Sequence, residues 1–379
     1  MTVTLSETQN AAVDAIMAWY KEPKPQEFYL AGYAGSGKST LTEEAIKRLK
    51  DECGVKKVCT GAYTGKAAYV LRQKGAENAQ TIHSMVYIAV EDEATGEVRF
   101  ELNKDGPAGE ADIIILDECS MIDEEMAKDI RSFEKKILVL GDPGQLPPVR
   151  GAGAFTSRKP DVFLHEIHRQ AADSPIIKLA TMARQGIPIK LGNYGPGVKV
   201  IPYDVAAGDY VYDENAQVIC GLNKVRWSLT QKIRSRRGYT ERKPEHGETI
   251  ICCRNDRERG VFNGQQGVFL SSQMCPTEPM FDDMVFDLEG HKEHVEMTVH
   301  PYLFDQHFEG PIQRPRLQKS IGEFDWGYVL TCHKAQGSQW PRIAVIDDSR
   351  SFREDQRKWL YTAITRAEKE LTLIVRNAA

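Results

Sequence analysis

Apolar residues in the first half of the chain fall into short, unbroken runs separated by stretches of helical period. Residues 6–20 carry one such helical pattern, opened by the capping-box pair Ser6-x-x-Gln9. A strand-length run at 28–31 follows, then a glycine-rich loop and a second helix with apolar Leu41, Ala45, Ile46 and Leu49. Further runs at 58–62, 113–116 and 137–140 are β-branched or aliphatic, and each stops at a polar residue. Strands alternating with helices predict a parallel sheet covered by helices on both faces. Two stretches break the alternation. Residues 86–102 read as a hairpin around Ala94-Thr-Gly-Glu97. Residues 246–321 lose helical periodicity and read as a small all-β insert, with turns at Asn263-Gly264 and around Gly290. The first pattern resumes at 326–331, 343–347 and 371–375, and no internal repeat is visible.

A length of 379 residues suits two cores of moderate size. With 41% hydrophobic and 27% charged residues the chain reads as an ordinary soluble protein. The start MTVTLSETQN lacks the basic and apolar regions of a secretory signal, and no apolar run approaches membrane-spanning length. The eight cysteines form no CxxC pair, so reduced thiols and a cytoplasmic location are expected. His165 and His168 are spaced by three rather than four, which rejects a zinc helix. A net charge of −5 argues against coating nucleic acid through bulk charge, but leaves room for a local basic channel. Residues 223–243 are the candidate: they hold eight Lys or Arg against one acid, although a solvated helix face accounts for them equally well.

The chemistry begins at Gly32-Tyr-Ala-Gly35-Ser36-Gly37-Lys38-Ser39, which fits the phosphate loop G-x-x-x-x-G-K-S/T between a strand and a helix. Glycines let backbone amides wrap phosphates, and the helix N-terminus adds a favourable dipole. Lys38 then reaches the β- and γ-phosphates of ATP, and the Ser39 hydroxyl ligates Mg²⁺. The strand at 113–116 runs into Asp117 and Glu118, suited respectively to the Mg²⁺ shell and to deprotonating the attacking water. Asp142 and Gln145 lie in Gly141-Asp-Pro-Gly-Gln-Leu-Pro-Pro148 after the next strand, at the carboxyl edge where open α/β sheets bind ligands. Phosphoryl transfer also calls for cations on the developing charge, and Arg169 and Arg366 are candidates.

These segments, taken in order, resemble superfamily 1 helicases of the RecD/Dda-like branch. To the motifs above the resemblance adds Leu5-Ser-Glu-Thr-Gln9, Thr64-Gly-Lys66-Ala-Ala68, Thr81-Ile-His83-Ser84 and His168-Arg169-Gln170. It ends with Val329-Leu-Thr331-Cys-His333-Lys334-Ala-Gln-Gly337-Ser338 and Tyr361-Thr-Ala-Ile-Thr-Arg366. It spans nearly the whole chain, and its later segments are far more specific than the phosphate loop alone.

The resemblance implies two RecA-like parallel-sheet domains with ATP in the cleft between them: 1–85 with 111–165, and 166–245 with 322–379. It places a duplex-splitting pin at 86–110 and an SH3-like insert at 246–321. Lys38, Glu118, Gln145, Arg169 and Arg366 are then catalytic. The nucleotide is held by Gln9, Gly35, Ser36, Gly37, Lys38, Ser39, Thr40, Gln145, Arg169, Gly337 and Arg366, and the metal by Ser39 and Asp117. Thr64, Lys66, His83, Asn223, Thr331, His333 and Lys334 fall in segments that hold the nucleic-acid backbone. Plainer readings compete: Gln9 as a helix cap, Lys66 as a solvated lysine, His83 as a capping histidine, Trp326 as core rather than a stacking face for a base. Two departures stand out, Tyr63 where a proline is usual and Gln339 where an acid that contacts the ribose is common. The pin tip has no aromatic residue, which favours steric exclusion over base stacking.

The implied activity is ATP-dependent travel on single-stranded DNA, 5′→3′, with unwinding at single-strand/duplex junctions by a monomer that is not membrane-bound, in the company of replication or recombination proteins. An RNA-directed superfamily 1 helicase shares nearly all the motifs and differs in which nucleic acid stimulates it. A non-enzymatic nucleotide- and nucleic-acid-binding module would show no stimulated hydrolysis.

Overall fold

The computed structural model describes residues 5–376 except 74, 77, 92–97, 149–152, 167–172, 205–206, 257–258, 277–278 and 319. The chain divides into two compact units, Met1–Thr181 and Met182–Ala379.

In the first unit, α1 (Glu7–Lys21), β1 (Glu27–Gly32), α2 (Lys38–Cys53), β2 (Val58–Ala62), α3 (Gly65–Gln73), β3 (Gln80–Thr81) and α4 (Ile82–Val86) follow one another. The hairpin β4 (Tyr87–Glu91) and β5 (Val98–Leu102) comes next, then α5 (Pro107–Glu110), β6 (Ile113–Asp117), α6 (Glu124–Arg131), β7 (Lys136–Gly141) and β8 (Val162–Leu164). The main sheet has the order β3-β2-β6-β7-β1-β8, and every pairing is parallel. Unbroken apolar runs suit such strands because both faces are covered. Phe28, Leu30, Ile113, Ile115, Leu138 and Leu140 pack one face against Val13 and Ile16 of α1 and Leu41 and Leu49 of α2. The alternate residues Tyr29, Ala31, Ile114, Leu116, Ile137 and Val139 pack the other face against Ile82, Met85, Ile130 and Phe155. The hairpin forms where its pattern predicts, in register from Tyr87 opposite Leu102 to Glu91 opposite Val98. Its tip, Ala94-Thr-Gly-Glu97, lies outside the described residues.

The second unit holds a six-stranded sheet and a five-stranded one. The first has parallel strands β17 (Val329–Thr331), β11 (Gln217–Cys220), β18 (Trp340–Asp347), β19 (Ala367–Val375) and β10 (Val198–Pro202) in that order, with β9 (Gly192–Gly195) antiparallel at its edge. The second is antiparallel throughout: β15 (Val295–Val299), β14 (Asp282–Leu288), β13 (Gln266–Met274), β12 (Thr249–Cys252) and β16 (Phe324–Trp326). Gly264 and Gly290, both at positive φ, make the anticipated turns.

The stretch 246–321 is not all β. Helix Tyr302–Glu309 lies within it, beginning after Pro301 and ending at Gly310 (φ 86°). Those two breakers were its only local signals, since Tyr302, Phe304 and His307 are too few to show a period over eight residues. The run at 326–331 also splits: β16 ends in one sheet and β17 starts in the other. Between them Gly327 lies so close to Ile250 that a Cβ would sit 3.0 Å from the Ile250 carbonyl oxygen. One continuous core joins the sheets, with Val218, Ala344 and Ile346 from the parallel sheet and Ile250, Phe286 and Trp326 from the antiparallel one. All eight cysteines are free. No described helix is long and apolar enough to cross a membrane.

Candidate nucleotide and nucleic-acid sites

In the first unit β1, β7 and β6 lie side by side and run the same way, so their carboxyl ends share one edge. That order alone brings the phosphate loop after β1, the Asp142–Gln145 loop after β7 and the acid pair after β6 next to one another. Two glycines permit the close approach. At the end of β1, a Cβ on Gly32 would lie 2.4 Å from Ser36 Oγ; at the end of β7, one on Gly141 would lie 2.7 Å from Cys119 Sγ.

Gly35 (φ 81°) and Gly37 (φ 76°) take left-handed backbone, and Gly37 serves as N-cap of α2 without any side-chain cap. The first amides of a 16-residue helix are thereby left for another acceptor, and the dipole favours an anion there. Lys38 opens α2 and folds back over the loop, its Nζ donating to Gly32 O (2.6 Å) and Tyr33 O (3.2 Å). Ser39 is exposed and Thr40 half-buried on the first turn. Ser36 Oγ is buried without a hydrogen-bond partner. A cradle with open helix amides and an unpaired hydroxyl fits a nucleotide phosphate.

Asp117 ends β6, and one of its carboxylate oxygens accepts the Glu118 amide at 2.8 Å. Glu118 itself stands at φ 52°, ψ 43°. Left-handed backbone at a side chain other than glycine, asparagine or aspartate is uncommon and costs about 1–3 kcal/mol, and such residues gather at functional sites. Beneath them the buried Cys119 thiol registers the surrounding charge: burial pushes its titration up, Asp117 and Glu118 push it further, and Lys38 opposes them. Among the described residues no cluster of three His, Cys, Asp or Glu could hold a metal. The serine–aspartate pair fits Mg²⁺, which usually keeps several waters and relies on substrate phosphates.

Asp142 is not free to meet phosphate. Its carboxylate accepts the Gly144 amide (2.9 Å) and its carbonyl accepts the Gln145 amide (3.1 Å), so it shapes the turn that presents Gln145. Gln145 is buried, and its Oε1 has no partner. Gln9 is equally buried and completes the capping box: Ser6 N donates to its Oε1 (3.0 Å), and its own amide donates to Ser6 Oγ (3.2 Å). Thr64 caps α3, accepting the Ala67 amide at 3.1 Å, with Lys66 half-buried on the first turn. The cap of α4 is Thr81 rather than His83, which is exposed.

In the second unit Thr331 ends β17 and its carbonyl accepts the Ala335 amide. His333 is half-buried beside the Phe352 ring (5.8 Å), and burial lowers its pKa. Lys334 is exposed, and Gly337 takes φ 76°. Arg366 is buried and its guanidinium makes three hydrogen bonds inside its own unit, donating to Thr362 O (3.1 Å), Ser338 O (3.3 Å) and Thr365 Oγ1 (3.2 Å). Arg169 and His168 lie outside the described residues.

Five cations of the basic stretch, Lys224, Lys232, Arg236, Arg242 and Lys243, are exposed as a solvated face requires, but two are not. Asn223 starts helix Asn223–Arg236 exposed, but Arg226 and Arg234 on that helix are buried. Arg226 pairs with Asp325, and Arg234 grips Glu248 through two bonds of 2.7 and 3.0 Å. Trp326 is wholly buried under Arg234 (4.1 Å) and Phe304, so it offers no face to a base. Nothing local could have revealed the partner of Arg226, since Asp325 lies 99 residues beyond it.

Residues 4–195 match the family described as AAA domain, and residues 327–374 match the UvrD-like helicase C-terminal domain. The chain is 27% identical over 362 residues to the ATP-dependent RecD2 DNA helicase of Deinococcus radiodurans, covering 89% of this chain and 45% of that protein. It is 24% identical over 421 residues to the ATP-dependent DNA helicase Pif1 of Campylobacter jejuni, covering 91% and 87%. A solved structure of Pif1 helicase from Bacteroides in complex with ADP-AlF3 and ssDNA is similar with a TM-score of 0.58 at 16% identity, over 98% of this chain and 92% of that one. The chain thus spans less than half the length of the RecD2 relative.

Proposed function

The chain belongs to the AAA-domain family and, among superfamily 1 helicases, to the RecD/Pif1 branch, and from that premise we propose that it is an ATP-driven motor that moves 5′→3′ along single-stranded DNA and opens duplexes at single-strand/duplex junctions. One observation carries this reading: three adjacent parallel strands deliver Lys38, Gln145 and the Asp117–Glu118 pair to a single edge.

The loop amides and Lys38 hold the β- and γ-phosphates of ATP. Ser39 and Asp117 are the residues that would hold Mg²⁺, which supplies charge neutralisation on the phosphate oxygens when bound. Glu118 takes the proton of the attacking water. Gln145 orients that water through its unpaired Oε1, which accepts from it, and senses the terminal phosphate through its side-chain NH₂, which donates. We assign Arg169 and Arg366 as the cations on the developing charge; the three bonds of Arg366 engage three of the five N–H donors of its guanidinium. Thr64, Lys66, His83, Asn223, Thr331, His333 and Lys334 are assigned to the phosphate backbone, where contacts give affinity without sequence preference. Gln9 is assigned to adenine. We place the work in the cytoplasm, performed by a monomer.

The decisive experiment is ATP turnover and unwinding with 5′-tailed and 3′-tailed duplexes in DNA and RNA forms. Turnover stimulated by single-stranded DNA, with opening of the 5′-tailed DNA duplex, is expected. Preference for RNA would move the substrate class, and no stimulation by either would remove the motor reading.

A further inference from the structure

Asn223 and Lys334 belong to separate segments, the start of a helix and the loop after β17, yet one buried carboxylate stands behind both. Asp325, in the middle of β16, is fully buried. One of its oxygens accepts from Arg226 Nη1 and lies 3.7 Å from Lys334 Nζ. The other accepts from His307 Nε2 (2.7 Å) and from the Trp326 amide (2.8 Å). Arg226 then reaches outward, its Nε donating to Asn223 Oδ1 at 3.2 Å. That bond takes the oxygen of the Asn223 amide, so its NH₂ group, the end that donates to phosphate, is turned away from Arg226. Lys334 is held from a second side, donating to Cys253 Sγ at 3.6 Å. Burial alone would push the Asp325 carboxyl up; Arg226, then His307, more than offset it and hold it well below the usual carboxylate range.

We propose that Asp325 is a positioning residue that pre-orients Asn223 and Lys334 as one paired grip on the phosphates of a single strand. The inference rests on the strand-gripping assignment of those two residues above. A lysine on four rotatable bonds and an exposed asparagine lose conformational freedom on binding, and tethering both beforehand removes part of that loss. His307 sits on helix Tyr302–Glu309, so the segment between β15 and β16 shares the same anchor.

The test combines Asp325→Asn with Arg226→Gln, which removes both charges and leaves no buried ion alone. Affinity for a labelled oligo(dT) is measured by anisotropy across a salt series, beside Lys334→Ala, Asn223→Ala and their combination with the charge-free pair. The pair should weaken binding about tenfold and make the salt dependence shallower by about one phosphate contact. Once Lys334 and Asn223 are both alanine, the pair should change nothing further, because it acts only through them. A folded pair variant with the parent's affinity and slope overturns the inference, as does a loss that adds in full to the alanine losses. If Lys334→Ala and Asn223→Ala leave binding unaltered, the strand-grip assignment falls and takes this inference with it. Should the pair variant not melt cooperatively, Asp325→Glu replaces it with the same expected and overturning results, since it keeps the charge and displaces the carboxylate by one methylene.

Discussion

Glu118 combines the carboxylate proposed as the base with a backbone conformation that suits glycine better, and the two features separate by substitution. Glu118→Gln keeps the shape and removes the base. Nucleotide affinity should persist in a fluorescent-nucleotide titration, while phosphate release falls by about 10²–10⁴-fold. Glu118→Gly should stabilise the fold by about 1 kcal/mol in a denaturant melt, because glycine relieves the left-handed strain, and yet lose the same turnover. Lys38→Ala should abolish turnover in a protein that melts normally, since its bonds to Gly32 O and Tyr33 O are local to the loop. At this scale the loop between β1 and α2 was legible because its spacing and glycines encode its shape directly. Glu118's strain was not, because no pattern announces left-handed backbone at a glutamate. The arginines misled for a different reason. Formal charge in a sequence says nothing of burial, and Arg226 and Arg234 are spent on buried carboxylates, Asp325 lying 99 residues beyond the first and Glu248 14 beyond the second.

Elements with a period or a punctuated turn were readable, as the strands of the first unit and the hairpin β4–β5 show. Helix Tyr302–Glu309 was too short to show a period, and the 326–331 run concealed a change of sheet at Gly327. Replacing residues 92–97 by a two-residue turn should reduce duplex opening more than DNA-stimulated ATP turnover; equal losses would show that the hairpin is not the separating element. The short helix also confers a pH dependence. Burial lowers the pKa of His307 below its ordinary 6.5, with Asp325 only partly opposing. A depressed folded pKa means that the unfolded chain binds the proton more readily, so stability is full above about pH 6.5 and is lost as pH falls below it. Asp325 adds a second loss as pH falls below the ordinary carboxylate value of 3.8. Urea melts at pH 7.5 and 5.5 should show the first loss, and His307→Gln should shrink it.

Across the whole molecule, the two-core reading of length and the strand–helix alternation agree with two contact units, each built on a parallel sheet. What no pattern conveyed was how the antiparallel sheet is joined to the parallel one in the second unit. Besides the shared core, Glu248 before β12 holds Arg234, and Asp325 in β16 holds Arg226, both out of reach of water. Glu248→Gln should therefore cost about 3–5 kcal/mol, measured by chemical denaturation, since it strands a buried guanidinium. The antiparallel sheet looks like a cassette inserted between two halves of a domain, the kind of part that recombination could exchange between relatives. These ion pairs make it a poor one. An exchange cut inside 249–323 keeps both carboxylates, whereas one that carries off 248–325 removes both anions and leaves two arginines orphaned in the core of the domain that remains. The crossover points that this chain tolerates, in a laboratory or in a genome, are thus limited by two salt bridges as well as by the visible edges of the fold.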